Sequence, residues 1–153
     1  MLQEGVDTCS VRELSPRYVL FENRTGRIDY EEIRRVMRSP QFSYGNFCYH
    51  ISREADGKYV GDSLQFVIRE PMLQICPHKS AEEMQYYPEY RCVYMVCSIP
   101  ELSPVEWKLD KMYEYAEKEG ISCGSEAYAF YVYSIMGEEK IVDYYEIFLP
   151  ILK

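Results

Sequence analysis

The chain has 153 residues, enough for one domain with a buried core. Its formal charge is −8 and no cluster of Lys and Arg forms a basic face, which argues against direct nucleic-acid contact by this chain. No apolar run approaches the ~20 residues of a membrane-spanning helix, and polar and acidic residues follow Met1 in place of a signal sequence, so no membrane partner and a cytoplasmic location are expected.

Val11 to Asn23 reads as a strand region interrupted at Ser15-Pro16. Asp29-Tyr30-Glu31-Glu32 is a helix start, with an acceptor side chain at the cap and an acid three residues on. Tyr30, Ile33, Val36 and Met37 recur at helical spacing, and Pro40 stops the run. The segments 47–53 and 59–69 read as strands joined by a hairpin turn at Asp56-Gly57. Residues 71–86 read as a connecting loop.

The same order then returns. Residues 89–99 form a strand. Ser103-Pro104-Val105-Glu106 is a fuller helix start, with a capping Ser, Pro at the first helical position and Glu at the third. Val105, Leu109, Met112 and Ala116 make the apolar stripe, and Gly120 is the expected C-cap. Residues 127–135 and 141–151 form a closing hairpin around Gly137-Glu138. Landmarks match between the halves: Pro16-Arg17-Tyr18 with Pro88-Glu89-Tyr90, Asp29 with Ser103, and Asp62 with Asp143. The expected fold is α+β, one domain over residues 1–153. It is read as duplicated strand-helix-strand-strand units at about 9–71 and 87–153, related by a pseudo-twofold, with antiparallel sheet and a cleft between the halves.

Sixteen tyrosines stand against one Trp and six Phe. A tyrosine ring stacks and its hydroxyl orients, which suits a recognition surface, although β-strands also favour tyrosine for packing alone. Six cysteines lack any C-x-x-C pair and read as small apolar residues, not disulfides. His50 and His78 are the only histidines, with no further ligands at zinc spacing, so neither a metal nor any other cofactor is expected. There is no nucleophile elbow and no phosphate-cradling glycine loop.

Strand parity sorts the aromatic candidates. Ala127, Ala129, Tyr131 and Tyr133 share one face of their strand, and Tyr128, Phe130 and Val132 the other. In the last strand Asp143, Tyr145 and Ile147 oppose Tyr144, Glu146 and Phe148. The small Ala127 and Ala129 beside large tyrosines mean either a concavity or room for a packed helix.

Several marks, in order, are moderately specific: Tyr30 at the first helix start, Ser43-Tyr44-Gly45, Tyr90-Arg91-Cys92-Val93, Ser125-Glu126-Ala127-Tyr128, and the terminal Glu146-Ile147-Phe148-Leu149-Pro150-Ile151. With them the chain resembles the effector-binding domain of MerR-type multidrug-responsive transcription regulators, the GyrI-like family. The resemblance implies a pocket between two halves that takes bulky aromatic cations, stacked on tyrosines and neutralised by a buried carboxylate. Tyr30 and Tyr44 match pocket tyrosines, Tyr131 a pocket-facing position, and Val105 and Trp107 a pocket-lining segment. The family's acid follows the tyrosine matched by Tyr128, and that place here is Ala129. The charge must then come from Asp143, beside Tyr145, or from Glu146, the family's usual last-strand acid, or the ligand is neutral. The expected partner is a small lipophilic ligand of unspecified charge.

The helix-turn-helix and long dimerising helix of such regulators are not in this sequence, so the chain reads as an excised domain or a stand-alone sensor; a dimer is compatible with a full-length regulator. Two other functions stay open. One is a GyrI-like hydrolase of reactive aromatic compounds, with Glu146 activating water and a tyrosine donating a proton. The other is a gyrase-inhibitor-like interaction module whose acidic surface meets a basic partner.

Overall fold

The computed structural model describes residues 5–23, 29–70, 72–76, 85–100 and 108–152. The strands are β1 (Cys9–Leu14), β2 (Arg17–Asn23), β3 (Asn46–Arg53), β4 (Tyr59–Arg69), β5 (Gln85–Tyr87), β6 (Tyr90–Pro100), β7 (Glu126–Met136) and β8 (Ile141–Pro150). The helices are α1 (Tyr30–Met37), the single turn α2 (Met72–Ile75) and α3 (Leu109–Lys118). All named strands form one sheet in the order β1-β6-β8-β7-β3-β4-β2-β5, and every neighbouring pair is antiparallel. The fold is α+β.

Local chemistry sets several boundaries. Asp29 caps α1 by accepting from the amides of Glu31 (3.0 Å) and Glu32 (3.3 Å). Gly120, at φ +70°, ends the turn after α3, where the Ile121 amide bonds back to the Ala116 carbonyl at 2.8 Å. Gly45 is demanded by space: a Cβ there would sit 2.7 Å from the Phe66 ring and from the Val67 carbonyl. The Ser103–Glu106 start signal lies outside the described residues. The expected loop at 71–86 holds α2 and then β5, which satisfies the free edge of β2 and brings the Tyr86 ring to 5.0 Å from Tyr18.

Connectivity dictates the shape. β1 and β2 stand six positions apart in the sheet, about 29 Å if it were flat at ~4.8 Å per strand. Yet Leu14 in β1 and Arg17 in β2 are joined by Ser15-Pro16 alone, a reach of at most ~10 Å. Tyr87 in β5 and Tyr90 in β6 repeat the constraint, again across six positions. The sheet therefore curls until its edges approach each other. Its inner side chains collect in one cluster: Leu14, Val19, Cys48, Val67, Cys92, Tyr94, Phe130 and Phe148, with Tyr87 and Tyr128 packed against it.

The outer face is covered in two patches. α3 lays Leu109, Met112 and Ala116 on Val93, Met95, Cys97, Ala127, Ala129, Ile147 and Leu149. α1 lays Val36 on Phe21, Phe66 and Ile68. Tyr30, expected on the buried stripe of α1, is instead 65% exposed. It lies at the first position of the helix, where a side chain leans over the preceding turn and has little sheet beneath it.

Candidate functional site

The inner face brings charge into an apolar enclosure. Arg69, at the end of β4, donates to Glu146 Oε1 on β8 at 3.1 Å, and the Tyr94 hydroxyl on β6 donates to Glu146 Oε2 at 2.7 Å. Both oxygens of Glu146 are thus engaged from within the chain. Arg69 also lies 4.3 Å over the Phe130 ring, and Arg12 lies 4.5 Å over Tyr94. Burial raises the Tyr94 hydroxyl above its ordinary range, and the bond to Glu146 raises it further, so it remains a donor.

Arg17 is the less balanced member. It opens β2, is 5% exposed, and lies over the rings of Tyr87 and Tyr128, each 5.0 Å away. Among the described residues no carboxylate or carbonyl accepts from its guanidinium. A buried, unpaired cation costs several kcal/mol. Each aromatic face returns about 0.5–2 kcal/mol, which offsets part of that cost and satisfies no N–H. The thiols of Cys48 and Cys92 are near enough to feel Arg17, but burial pushes both up to about 12, so neither is a thiolate at neutral pH.

Two adjoining hollows lie beside Arg17. One, of about 480 Å³, is lined by Leu14, Arg17, Tyr87, Tyr90, Tyr128 and Leu152 among others. The second, of about 510 Å³, shares Tyr87, Glu126 and Tyr128 and extends to Glu22, His50 and Gln65. Glu126 stands at their shared rim, 58% exposed, with its carboxylate 3.5 Å from His50 Nε2. These volumes fall in the range of small-molecule sites. A wider depression of about 780 Å³ lies between β1, β6 and the chain after α3, around Val11, Glu13, Arg91 and Ile121, and contains no buried charge.

The residues singled out in the sequence are not gathered into one place. Ala129 is fully buried beneath α3, in the same cluster as Ala127 and Ile147; of the two readings of those alanines, room for a helix is the one seen. Tyr145 packs against that cluster, edge-on to Tyr131 at 5.7 Å. The Tyr131 hydroxyl contacts Ser134 Oγ, which donates to Asp143 at 2.6 Å; this hydroxyl chain follows the bulge between Tyr131 and Tyr133. Tyr44 packs beside Phe42 and Phe47 under α1. Neither Tyr30 nor Tyr44 lines the two inner hollows. Trp107 lies outside the described residues. Among the described members of this group Glu146 faces inward, with Arg69 and Tyr94.

Sequence reading missed Arg17, Arg69, Tyr87, Tyr94 and Tyr128. A usable signal existed for the arginines: Arg17 and Val19 alternate in β2 as Val67 and Arg69 do in β4, so each arginine shares the inward face of a buried valine. Tyr87 had none, because it fell between the loop read at 71–86 and the strand read from residue 89. Among the described residues no group of three or more His, Cys, Asp or Glu could hold a metal.

No family model and no curated protein sequence matches the chain. Solved structures do. The EcmrR C-terminal domain shares the fold at 12% identity and TM-score 0.62, over 95% of this chain and 98% of that one. A bacterial transcription regulation protein from Staphylococcus aureus MU50 follows at 13% and 0.51, over 95% and 98%. SAV2435 bound to tetraphenylphosphonium matches at 15% and 0.52, over 94% and 93%. The shared fold agrees with that of GyrI-like effector-binding domains.

Proposed function

We propose that this chain is the small-molecule sensing domain of a transcription regulator, and that its effector is a lipophilic aromatic compound seated in the inner hollow of the curled sheet. One observation carries the reading: Tyr87, Tyr90 and Tyr128 surround a hollow of about 480 Å³ on a buried face that also holds charge. The fold shared with a bacterial transcription regulation protein, and with SAV2435 in complex with tetraphenylphosphonium, supports it. The two halves read as copies of one unit, because the sheet order β2-β4-β3 repeats as β6-β8-β7, each with a helix after its first strand. No helix among the described residues is long and apolar enough to cross a membrane, which is compatible with a cytoplasmic regulator.

The test is a thermal-shift and calorimetric screen of aromatic compounds in three charge states, with tetraphenylphosphonium as the cation. A binder raises the melting temperature by mass action. Tyr128→Ala is expected to weaken a hit at least tenfold, whereas Tyr30→Ala leaves it unchanged. The opposite pattern would move the site to the start of α1, where the family resemblance puts a pocket tyrosine.

A hydrolase reading has one observation in its favour, the 2.7 Å contact between the Tyr94 hydroxyl and Glu146. It would require Glu146 to act as a base while Arg69 holds its other oxygen. Turnover of a strained-ring aromatic substrate that disappears in Glu146→Gln would establish it; binding without turnover leaves the sensor.

A further inference from the structure

Three arginines enter the curled sheet, and their surroundings differ. Arg69 has Glu146 at 3.1 Å. Arg12 is at the exposed edge of the sheet, over Tyr94. Arg17 is the one that is both buried and without an acceptor among the described residues. Its guanidinium carbon lies 5.0 Å from each of the Tyr87 and Tyr128 ring centres, and the side chain lines the hollow of about 480 Å³.

Resting on the sensor reading above, we propose that Arg17 is an anion-binding residue and that the effector of this domain is a flat aromatic monocarboxylate. The guanidinium fork matches a carboxylate in two parallel hydrogen bonds. Leu14, Pro88, Pro150 and Leu152 line the same hollow and suit an aromatic body. Glu126 at the rim stands against a second negative charge, which selects a monoanion over a phosphate. Glu126 does not supply the missing partner itself, since it faces His50 and is largely exposed. Of the carboxylates near the hollows, Glu146 is matched by Arg69 and Glu22 accepts from the Gln65 amide at 2.9 Å, so neither is an acceptor for Arg17 among the described contacts.

The experiment titrates the intact chain with 2-naphthoate and with its uncharged counterpart 2-naphthamide. Naphthoate is expected to bind at least tenfold more tightly. Arg17→Met removes that preference without loss of folding, because it deletes an unpaired buried charge. Arg17→Lys keeps the charge but not the fork and retains part of the preference. Glu126→Gln strengthens naphthoate binding. Equal affinity of the parent chain for the two probes overturns the proposal, and this comparison needs no variant to fold. So does undiminished naphthoate binding by Arg17→Met. If naphthamide or tetraphenylphosphonium binds and naphthoate binds no tighter, the anion site falls and the sensor reading stands. If no aromatic probe of any charge binds, both fall.

Discussion

β7 and β8 present two unlike faces through one run of residues. On the outer face Ala127, Ala129, Ile147 and Leu149 are apolar, small or branched, and sealed by α3. On the inner face Tyr128, Phe130, Glu146 and Phe148 are aromatic or charged, and Arg17 and Arg69 from the other half of the sheet come to meet them. The outer face achieves burial by close packing alone. The inner face holds buried charge, and Arg17 among its groups has no acceptor among the described residues. Uniform packing marks a core; an unbalanced polar group beside a hollow marks a place where something else binds.

The sharpest way to break this contrast is a charge on the outer face. Ala129→Asp puts a carboxylate at the place where the family resemblance leads one to expect an acid, but here it lies beneath α3 in a cluster that is apolar among the described residues. We expect a loss of about 3–5 kcal/mol in urea denaturation. A neutral result would mean that the outer face is a cavity after all.

Alkaline pH tests whether both faces are equally dry. Cys48 and Cys92 on the inner face and Cys97 on the outer are each pushed by burial from an ordinary value of 9.0 up to about 12. A raised value means the folded state holds a proton that the unfolded state releases. The stability is therefore complete below about pH 9 and is lost as pH rises toward 12. The three thiols together cost about 4 kcal/mol per pH unit at most. Denaturation at pH 8 and pH 10 in Cys48→Ala and Cys97→Ala should show each variant losing a similar share of the slope. A slope carried by Cys97 alone would mean that water reaches the inner face.

Tyr94→Phe removes the hydroxyl from Glu146 and should cost about 2 kcal/mol, the worth of a hydrogen bond to a charged group. An unchanged urea midpoint would show that water or Arg69 takes over that oxygen. Asp29→Ala lies on neither face and gives the small reference effect: loss of the cap to Glu31 and Glu32 costs about 1 kcal/mol by the same measurement.

Much of the fold was legible because its causes are local. The Asp29 cap, the stop after Met37, the strand at Tyr59–Arg69 and the Gly120 C-cap follow from propensities and turn chemistry that act over a few residues. Strand parity also separated Ala129 from Glu146 correctly. What parity left open was which face would be covered. Small residues beside large ones fit a ligand or a helix equally well, and only the position of α3 decided between them. β5 was illegible for a related reason: three residues become a strand because β2 offers them a free edge.

Apart from α2 and β5, the sequence by itself determined the elements, their order and the two alternating faces of each strand, since these depend on spacing along the chain. Tertiary structure decided what each face is for. The short Ser15-Pro16 and Pro88-Glu89 links pull opposite ends of the sheet together, and that curl sets Arg17 over Tyr87 and Tyr128. No local pattern could announce the result, because Tyr128 lies more than a hundred residues from Arg17 along the chain and meets it only when the sheet curls.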